Sequence, residues 1–541
     1  MTSRHSSGRS ARLVEPVWRT LIWFAVLNSF AFQLAAANVE QWGVFELNLS
    51  GPTNGNPFVD VEISARFTQG TNTVNVPGFY DGEGIYRVRF SPERSGEWRY
   101  ETKSNRRGLN RKRGQFTVVA PTPGNHGPVR VTNTFHFAYA DGSPYKQFGT
   151  TCYHWVNQTP SVQEQTLQTL AKSPFNKVRF CVINKRYPGK TNETHYPFEA
   201  RGTNFNTACF NPAYFQHFER RILDLQKLGI EADLILFHPY DQGGTGFDRM
   251  TPQEDDRYLR YVVARFAAYR NVWWSLANEY DFLKHKTEAD WEHIGQAVSR
   301  ADPFHRLLSI HNGTRIFDQT RPWITHASIQ NGSAVEDANS AGLYRDVWRK
   351  PVVYDEIKYE GNHARRWGQL TGEELVFRFW NGTVAGTYLG HGETFQTSPE
   401  IYWWYKGGTM IGQSPPRLAF LKQVLDDSPA AGIEPIDKWQ NPEYGGRPFE
   451  YYLVYLGRQM PTNWMFRLPK SPFDKSKEGT TVEGMKFSAE VLDTWNMTVT
   501  PVPGVFTLGE PAGYFVADKD ARAIELPGLP YQAIRIKRVK E

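Results

Sequence analysis

Two glutamates stand out by where they fall. Glu279 closes the apolar run VWWSLANEYD (residues 272–281) with Asn278 beside it, and Glu356 closes PVVYDEIKYEG (residues 351–361), 77 residues further on. A carboxyl group can lend a proton as a general acid or, once ionised, attack as a nucleophile or stand against a positive charge. Two carboxyls over one substrate can divide those tasks at a single pH, because like charges held close keep one of the pair protonated. For that, the fold must bring two distant strand ends to a common point.

The surrounding text supplies such a fold. QFGTTCYHW, NKVRFCVIN, IEADLILFHPY, NVWWSLANEY, RLLSIHNG, ITHASIQNG, PVVYDEIKYEG and GTYLGHGETF are eight short apolar candidate strands. Amphipathic stretches such as 212–229, 255–270, 289–302 and 416–427 separate many of them. Apolar strands alternating with helices indicate a parallel sheet covered by helices. Eight units over residues 133–430 predict a (β/α)8 TIM barrel, whose functional groups sit at the C-terminal strand ends. A doubly wound sheet would want a glycine-rich loop after its first strand, and GTTCYHW is not one.

Glu279 then ends strand four and Glu356 strand seven, three βα units apart. Alternation along a strand groups Trp273, Ser275, Ala277 and Glu279 on the inner face of strand four. The same reading groups Val352, Tyr354 and Glu356 on the inner face of strand seven and turns Asp355 away.

The flanks are strand-like. FVDVEISARF, IYRVRFSP, GEWRYETKS and GQFTVVA, within residues 38–120, predict an N-terminal β-sandwich, and 121–132, entered through APTPGNHGP (120–128), a linker. YYLVYLG, TVEGMKFSAEVLDTW and YQAIRIKRV predict a second β-sandwich over 431–541. Residues 1–37 carry Arg4, Arg9, Arg12 and Arg19, the apolar run LIWFAVL and the small residues Ala35, Ala36 and Ala37. That order is a secretory signal peptide, so the mature chain is expected outside the cytoplasm, secreted or periplasmic, with no membrane anchor. Removing the four Arg and one Glu of this segment lowers the formal charge from +6 to about +3, which is no nucleic-acid footprint. The three cysteines are too few for a disulfide framework; Cys181 with Cys209 could form one bridge, and buried free thiols are the expected state.

The Asn-Glu pair ending strand four and the Glu ending strand seven resemble those of the clan A retaining glycoside hydrolases. More narrowly, the chain is similar to cellulase-like hydrolases with an immunoglobulin-like domain of unknown function before the barrel. These carry, after it, a domain of unknown function containing a run like EVLDTWNMTVTPVPGVF (490–506). The resemblance implies Glu279 as acid/base and Glu356 as nucleophile. Cleaving a glycosidic bond needs a proton on the departing oxygen and an anion beneath an oxocarbenium-like centre, which two carboxyls provide.

By the same resemblance, Asn278 would bond the sugar hydroxyl next to the reacting carbon and Arg179, on strand two, would steady the nucleophile. His311 (strand five) and Gln330 (strand six) are further candidates. Related families often place a tyrosine on strand six, and ASIQNG has none, which leaves the nucleophile's partner open. From their strand-end positions, His391 and Glu393 on strand eight are expected to reach the sugar. Tyr153, His154 and Trp155 on strand one and His238, Tyr240 and Asp241 on strand three would complete a ring suited to a polyhydroxylated ligand. Trp403, with Trp404, would offer a sugar platform. His238 with Asp241, or His391 with Glu393, are pairs rather than a recognised metal motif, and retaining hydrolysis needs no cofactor. The expected function is hydrolysis of an oligo- or polysaccharide, from chain ends given the long loop Lys185 to Asn211. A transglycosylase would use the same residues, and a non-catalytic carbohydrate-binding protein would have no need of both glutamates.

Overall fold

The computed structural model describes residues 38–183, 196–201, 204–241, 246–398, 401–438, 440–470 and 481–539. The expected signal segment, 1–37, and part of the loop after strand two lie outside the described residues. Among the described residues, no helix is long and apolar enough to cross a membrane.

Eight parallel strands form the central ring: Gly149–Thr151, Lys177–Cys181, Glu231–Phe237, Val272–Ala277, Leu308–Ser309, Ala327–Gln330, Val352–Glu356 and Tyr388–His391. They are called strands one to eight below. Neighbours pair in ring order, with strand one bonded to both two and eight. The seam between strands five and six is joined by Thr325 N–H donating to Leu308 O (2.9 Å) and Leu308 N–H donating to Thr325 Oγ1 (2.8 Å). Helices follow every strand but the fifth, after which residues 310–326 return as irregular chain.

The helices start where the sequence punctuates them. Pro160, Pro212 and Pro252 each occupy a first turn, where a missing N–H leaves no helix bond unmade. Thr251, Thr287 and Thr371 close capping boxes with Glu254, Asp290 and Glu374. In Pro252–Phe266, Tyr258, Leu259, Val262, Val263 and Phe266 form the buried stripe against the sheet.

The barrel floor is closed by Val129–Thr132, His136–Tyr139 and Pro144–Tyr145, which pair as a small antiparallel sheet. Phe137 and Tyr145 pack there on Trp273. The reading of 121–132 as a linker is therefore corrected. Its last four residues are a strand of this floor, and Thr122 and Asn125 are hydrogen-bonded to Glu40 and Gln41.

The N-terminal domain is an antiparallel two-layer sandwich whose core stacks Phe45 on Phe116 and Phe67 on Phe90. It is held to the barrel by a buried ion cluster. Glu219 on helix Pro212–Lys227 accepts from Arg89 of the sandwich and from Arg265 (2.6 Å), which also meets Asp81 (2.7 Å). In the C-terminal domain, alternation along Tyr451–Tyr455 sends Tyr451, Leu453 and Tyr455 onto barrel helices Gly372–Val384 and Ser414–Asp426. Tyr452 and Val454 face the domain's own core.

Candidate active site

Strand alternation ends at Ala277. Asn278 and Glu279 still reach the same space, because Glu279 adopts a left-handed backbone (φ 49°, ψ 54°). That conformation costs a non-glycine residue roughly 1 kcal/mol and turns the side chain back over the barrel. The acid is thus brought in by local strain.

On strand seven the expected parity is reversed. Val352 and Tyr354 face the helix layer, with Tyr354 Oη donating to Ala341 O at 2.7 Å. Asp355 faces inward, where it meets Lys177 (2.7 Å), Arg179 (3.2 Å) and Ser328 Oγ (2.5 Å). A register shift opposite Gln330 pairs that residue with Glu356 and skips Asp355. Such a bulge lets two successive side chains reach one side of a sheet. Glu356 therefore enters the site, for a reason other than simple alternation.

Beneath the site lies a buried ionic layer. Lys177 bridges Asp233 (2.8 Å) and Asp355, and Arg179 adds its guanidinium to the same pair. Burial alone would raise the Asp355 carboxyl, but Lys177 and Arg179 hold it well below the usual carboxylate range. Arg179 also donates to Asn278 Oδ1 at 3.1 Å. The arginine thus orients the amide directly, whereas Glu356 feels it only as a nearby positive charge.

Three tyrosines surround the glutamates. Tyr153 Oη donates to Glu356 Oε1 and lies 3.2 Å from Tyr359 Oη. Tyr240 Oη donates to Glu279 Oε2 and accepts from Asn278 Nδ2 at 2.6 Å. Burial, then charge on Glu279 and Glu356, keeps the Tyr240 phenol well above its ordinary range. Both carboxylates therefore lie close enough to act on one phenol. Tyr153 and Tyr359 are likewise raised by burial first and by Glu356 second. Gly392 admits the Tyr359 ring: a Cβ at 392 would lie 2.4 Å from its Cδ1.

The remaining sequence candidates separate into three groups. His238 supports the site, accepting from Tyr240 N–H through Nδ1 (3.2 Å) and meeting Ile183 O through Nε2 (2.9 Å), its ring stacked on Tyr240. Asp241 is buried at the same strand end. His311 is fully buried with neither ring nitrogen hydrogen-bonded, and burial followed by the charge of Arg179 keeps it neutral. Gln330 sits level with Glu356.

Five candidates point elsewhere. Trp155 belongs to the outer core against Phe180, and His154 is wedged parallel to Tyr405 (5.5 Å between ring centres). His391 alternates with Leu389 toward the helix layer, stacking on Phe175 with Nδ1 3.0 Å from Thr150 Oγ1. Trp403 is fully buried and donates to the same Thr150 oxygen at 2.9 Å. Glu393, with the parity of His391, accepts from Ile411 and Gly412 N–H behind the pocket. Burial, with Glu360 beside it, pushes that carboxyl up to about 7.

Of the two tryptophans expected as a platform, Trp404 lies with the site tyrosines, its ring 6.1 Å from both Tyr153 and Tyr359 and 5.2 Å from Trp367. Tyr359 and, apart from Arg179, the ionic layer had no role in the sequence reading. Their signals were a tyrosine just past Glu356 and charged residues at every second position of KVRFC and EADLI. The three cysteines form no disulfide among the described residues.

Residues 132–423 match a family model described as "Apiosidase-like, catalytic domain". Residues 38–105 and 439–537 match two domains of unknown function, DUF5060 and DUF5605. A crystal structure from Bacteroides vulgatus ATCC 8482, provisionally described as a glycoside hydrolase, is 40% identical. The match covers 93% of this chain and all of that one, with a TM-score of 0.89. A family 5 glycoside hydrolase from the same organism shares the fold at 16% identity, over 77% of this chain and 94% of that one (TM-score 0.56). No curated protein matches.

Proposed function

The chain belongs to the apiosidase-like family of glycoside hydrolase-type catalytic domains, and on that premise we propose that it is an exported retaining glycosidase that removes sugars from chain ends. The observation that carries the reading is the pair of tyrosine-bound carboxylates, Glu279 with Tyr240 and Glu356 with Tyr153, at the ends of strands four and seven.

In the first step Glu356 attacks the anomeric carbon while Glu279 protonates the departing oxygen. Tyr240 donates to Oε2 of Glu279 and orients the carboxyl that supplies the proton. Tyr153, donating to Oε1 of Glu356, holds the attacking carboxylate still. In the second step Glu279 takes a proton from water, which attacks the glycosyl-enzyme ester. Each of the two displacements inverts the carbon, and the product keeps the starting configuration. Arg179 and Tyr240 fix the Asn278 amide from both ends, a rigid donor for the hydroxyl beside the reacting carbon.

Chain-end action rests on the loop after strand two. Its described part is a hairpin, Phe198–Arg201 with Asn204–Phe210, in which Phe210 stacks on Tyr261 at 3.9 Å. A connection this long serves as a wall or lid. Export rests on the order of residues 1–37. The name of the family model makes terminal apiosides the first substrates to try. The test is a panel of aryl glycosides, apiosides included, with wild type and Glu356→Gln. Release by wild type and loss in the variant support the reading, and release by both would overturn it. Internal cuts in a polysaccharide from the outset would remove the chain-end mode.

A further inference from the structure

Behind the Tyr359 wall, three buried ligand-type side chains converge. Glu360, His391 and Glu393 are each at most 1% exposed, and one ring nitrogen and one oxygen of each carboxylate lie within 4.8 Å of one another. Among the described residues no lysine or arginine pairs with either glutamate. Their partners are neutral: Gln413 and Ser414 N–H with Ser414 Oγ on Glu360, and Ile411 and Gly412 N–H on Glu393.

The histidine is the independent sign of a ligand. Thr150 engages Nδ1, and Nε2 has no hydrogen-bond partner although the residue is fully buried. A buried imidazole nitrogen without a partner loses its solvation for nothing, and buried carboxylates are ordinarily paired or bound to a metal. A single divalent cation would answer both needs and cancel the two negative charges.

We propose that Glu360, Glu393 and Nε2 of His391 bind one divalent transition-metal cation of the Zn2+ or Mn2+ class, as a structural clamp outside the catalytic pocket. The donor set chooses the class. One imidazole with two carboxylates suits Zn2+ or Mn2+, whereas Ca2+ wants six to eight oxygens. The required tautomer has Nδ1–H donating to Thr150 Oγ1, a supporting bond of the kind that metal-bound histidines make. The clamp would join the loops after strands seven and eight to residues 411–414. Both loops carry pocket residues: Tyr359 adjoins Glu360, and Trp404 N–H donates to Glu393 O at 3.1 Å.

The test uses the tag-free full chain, measured for bound metal and thermal midpoint as purified, after chelation, and after adding Zn2+, Mn2+ or Ca2+ singly. The expected result is about one transition-metal equivalent per chain. Chelation should lower the midpoint by roughly 2 to 5 °C, and Zn2+ or Mn2+ but not Ca2+ should restore it. Glu393→Gln and His391→Phe should each lose the metal and the response. If chelated and metal-treated wild type melt together with no bound metal, the two carboxyls share a proton instead and the proposal fails. Metal retained in full by both variants, or a response to Ca2+ alone, would equally overturn it.

Discussion

Tyr153, at the end of strand one, donates its phenolic hydrogen to Glu356 at the end of strand seven, across 203 residues of chain. The proposed nucleophile therefore takes its tyrosine from strand one, while strand six places Gln330 level with it. Tyr153→Phe keeps the ring packed between Trp404 and Cys181 and removes only this bond. A hydrogen bond to a charged group is worth about 1.5 to 3 kcal/mol, so kcat/KM should fall roughly 10- to 100-fold with little change in melting. Unchanged kinetics would remove the tyrosine from the mechanism.

Tyr240→Phe addresses the proposed acid, Glu279. Loss of the bond to Glu279 should slow substrates with poor leaving groups about tenfold or more. Activated aryl glycosides, which need little proton assistance, should be nearly spared. An equal effect on both kinds of leaving group would make Tyr240 a packing residue only.

Glu231, on the barrel floor, gives a pH prediction. Burial pushes its carboxyl up to about 8 from an ordinary 4.5, even though Trp273 Nε1 donates to it at 2.9 Å. Between those values the folded chain keeps a proton that the unfolded chain has lost. Stability therefore declines as pH rises from about 4.5 to about 8 and is level on either side. Glu231→Gln should flatten that slope and gain on wild type by a few kcal/mol, in order of magnitude, near pH 8. Chemical unfolding at several pH values decides it, and parallel profiles for the two proteins would contradict it.

Glu219→Ala tests the joint between the sandwich and the barrel. It withdraws the shared carboxylate from Arg89 and Arg265, both buried, leaving Arg89 with Glu46 and Arg265 with Asp81. Stability should drop by about 3 kcal/mol. The glutamates of the pocket are untouched, so kcat/KM at low temperature should hold. A variant as stable as wild type would show that the two remaining pairs suffice.

Much of this was legible because period and composition alone carry it. Apolar runs such as EADLILF and VWWSLA declare parallel strands, and the three-unit spacing of Glu279 and Glu356 needs no more than counting. What alternation could not see is where alternation stops. The left-handed turn at Glu279 and the bulge at Asp355 each redirect a side chain, so alternation on strand seven gives Glu356 the inward parity that Asp355 holds in the structure. His391 shows the converse, since alternation with the core residue Leu389 already sends it outward. Tyr359 lies beyond its strand, where only the return of the chain past Gly392 brings it to Glu356.

The central claim is double displacement at Glu356, and the stereochemistry of the first product tests it most directly. Proton NMR of wild type turning over a pure anomer of an active glycoside should show the newly released sugar in the starting configuration before mutarotation. Glu356→Ala supplied with azide should give the glycosyl azide of opposite configuration. An inverted first product from wild type would contradict the account. Glu356 would then be a base acting through water, with carboxyls roughly 6.5 to 9.5 Å apart rather than about 5 to 5.5 Å.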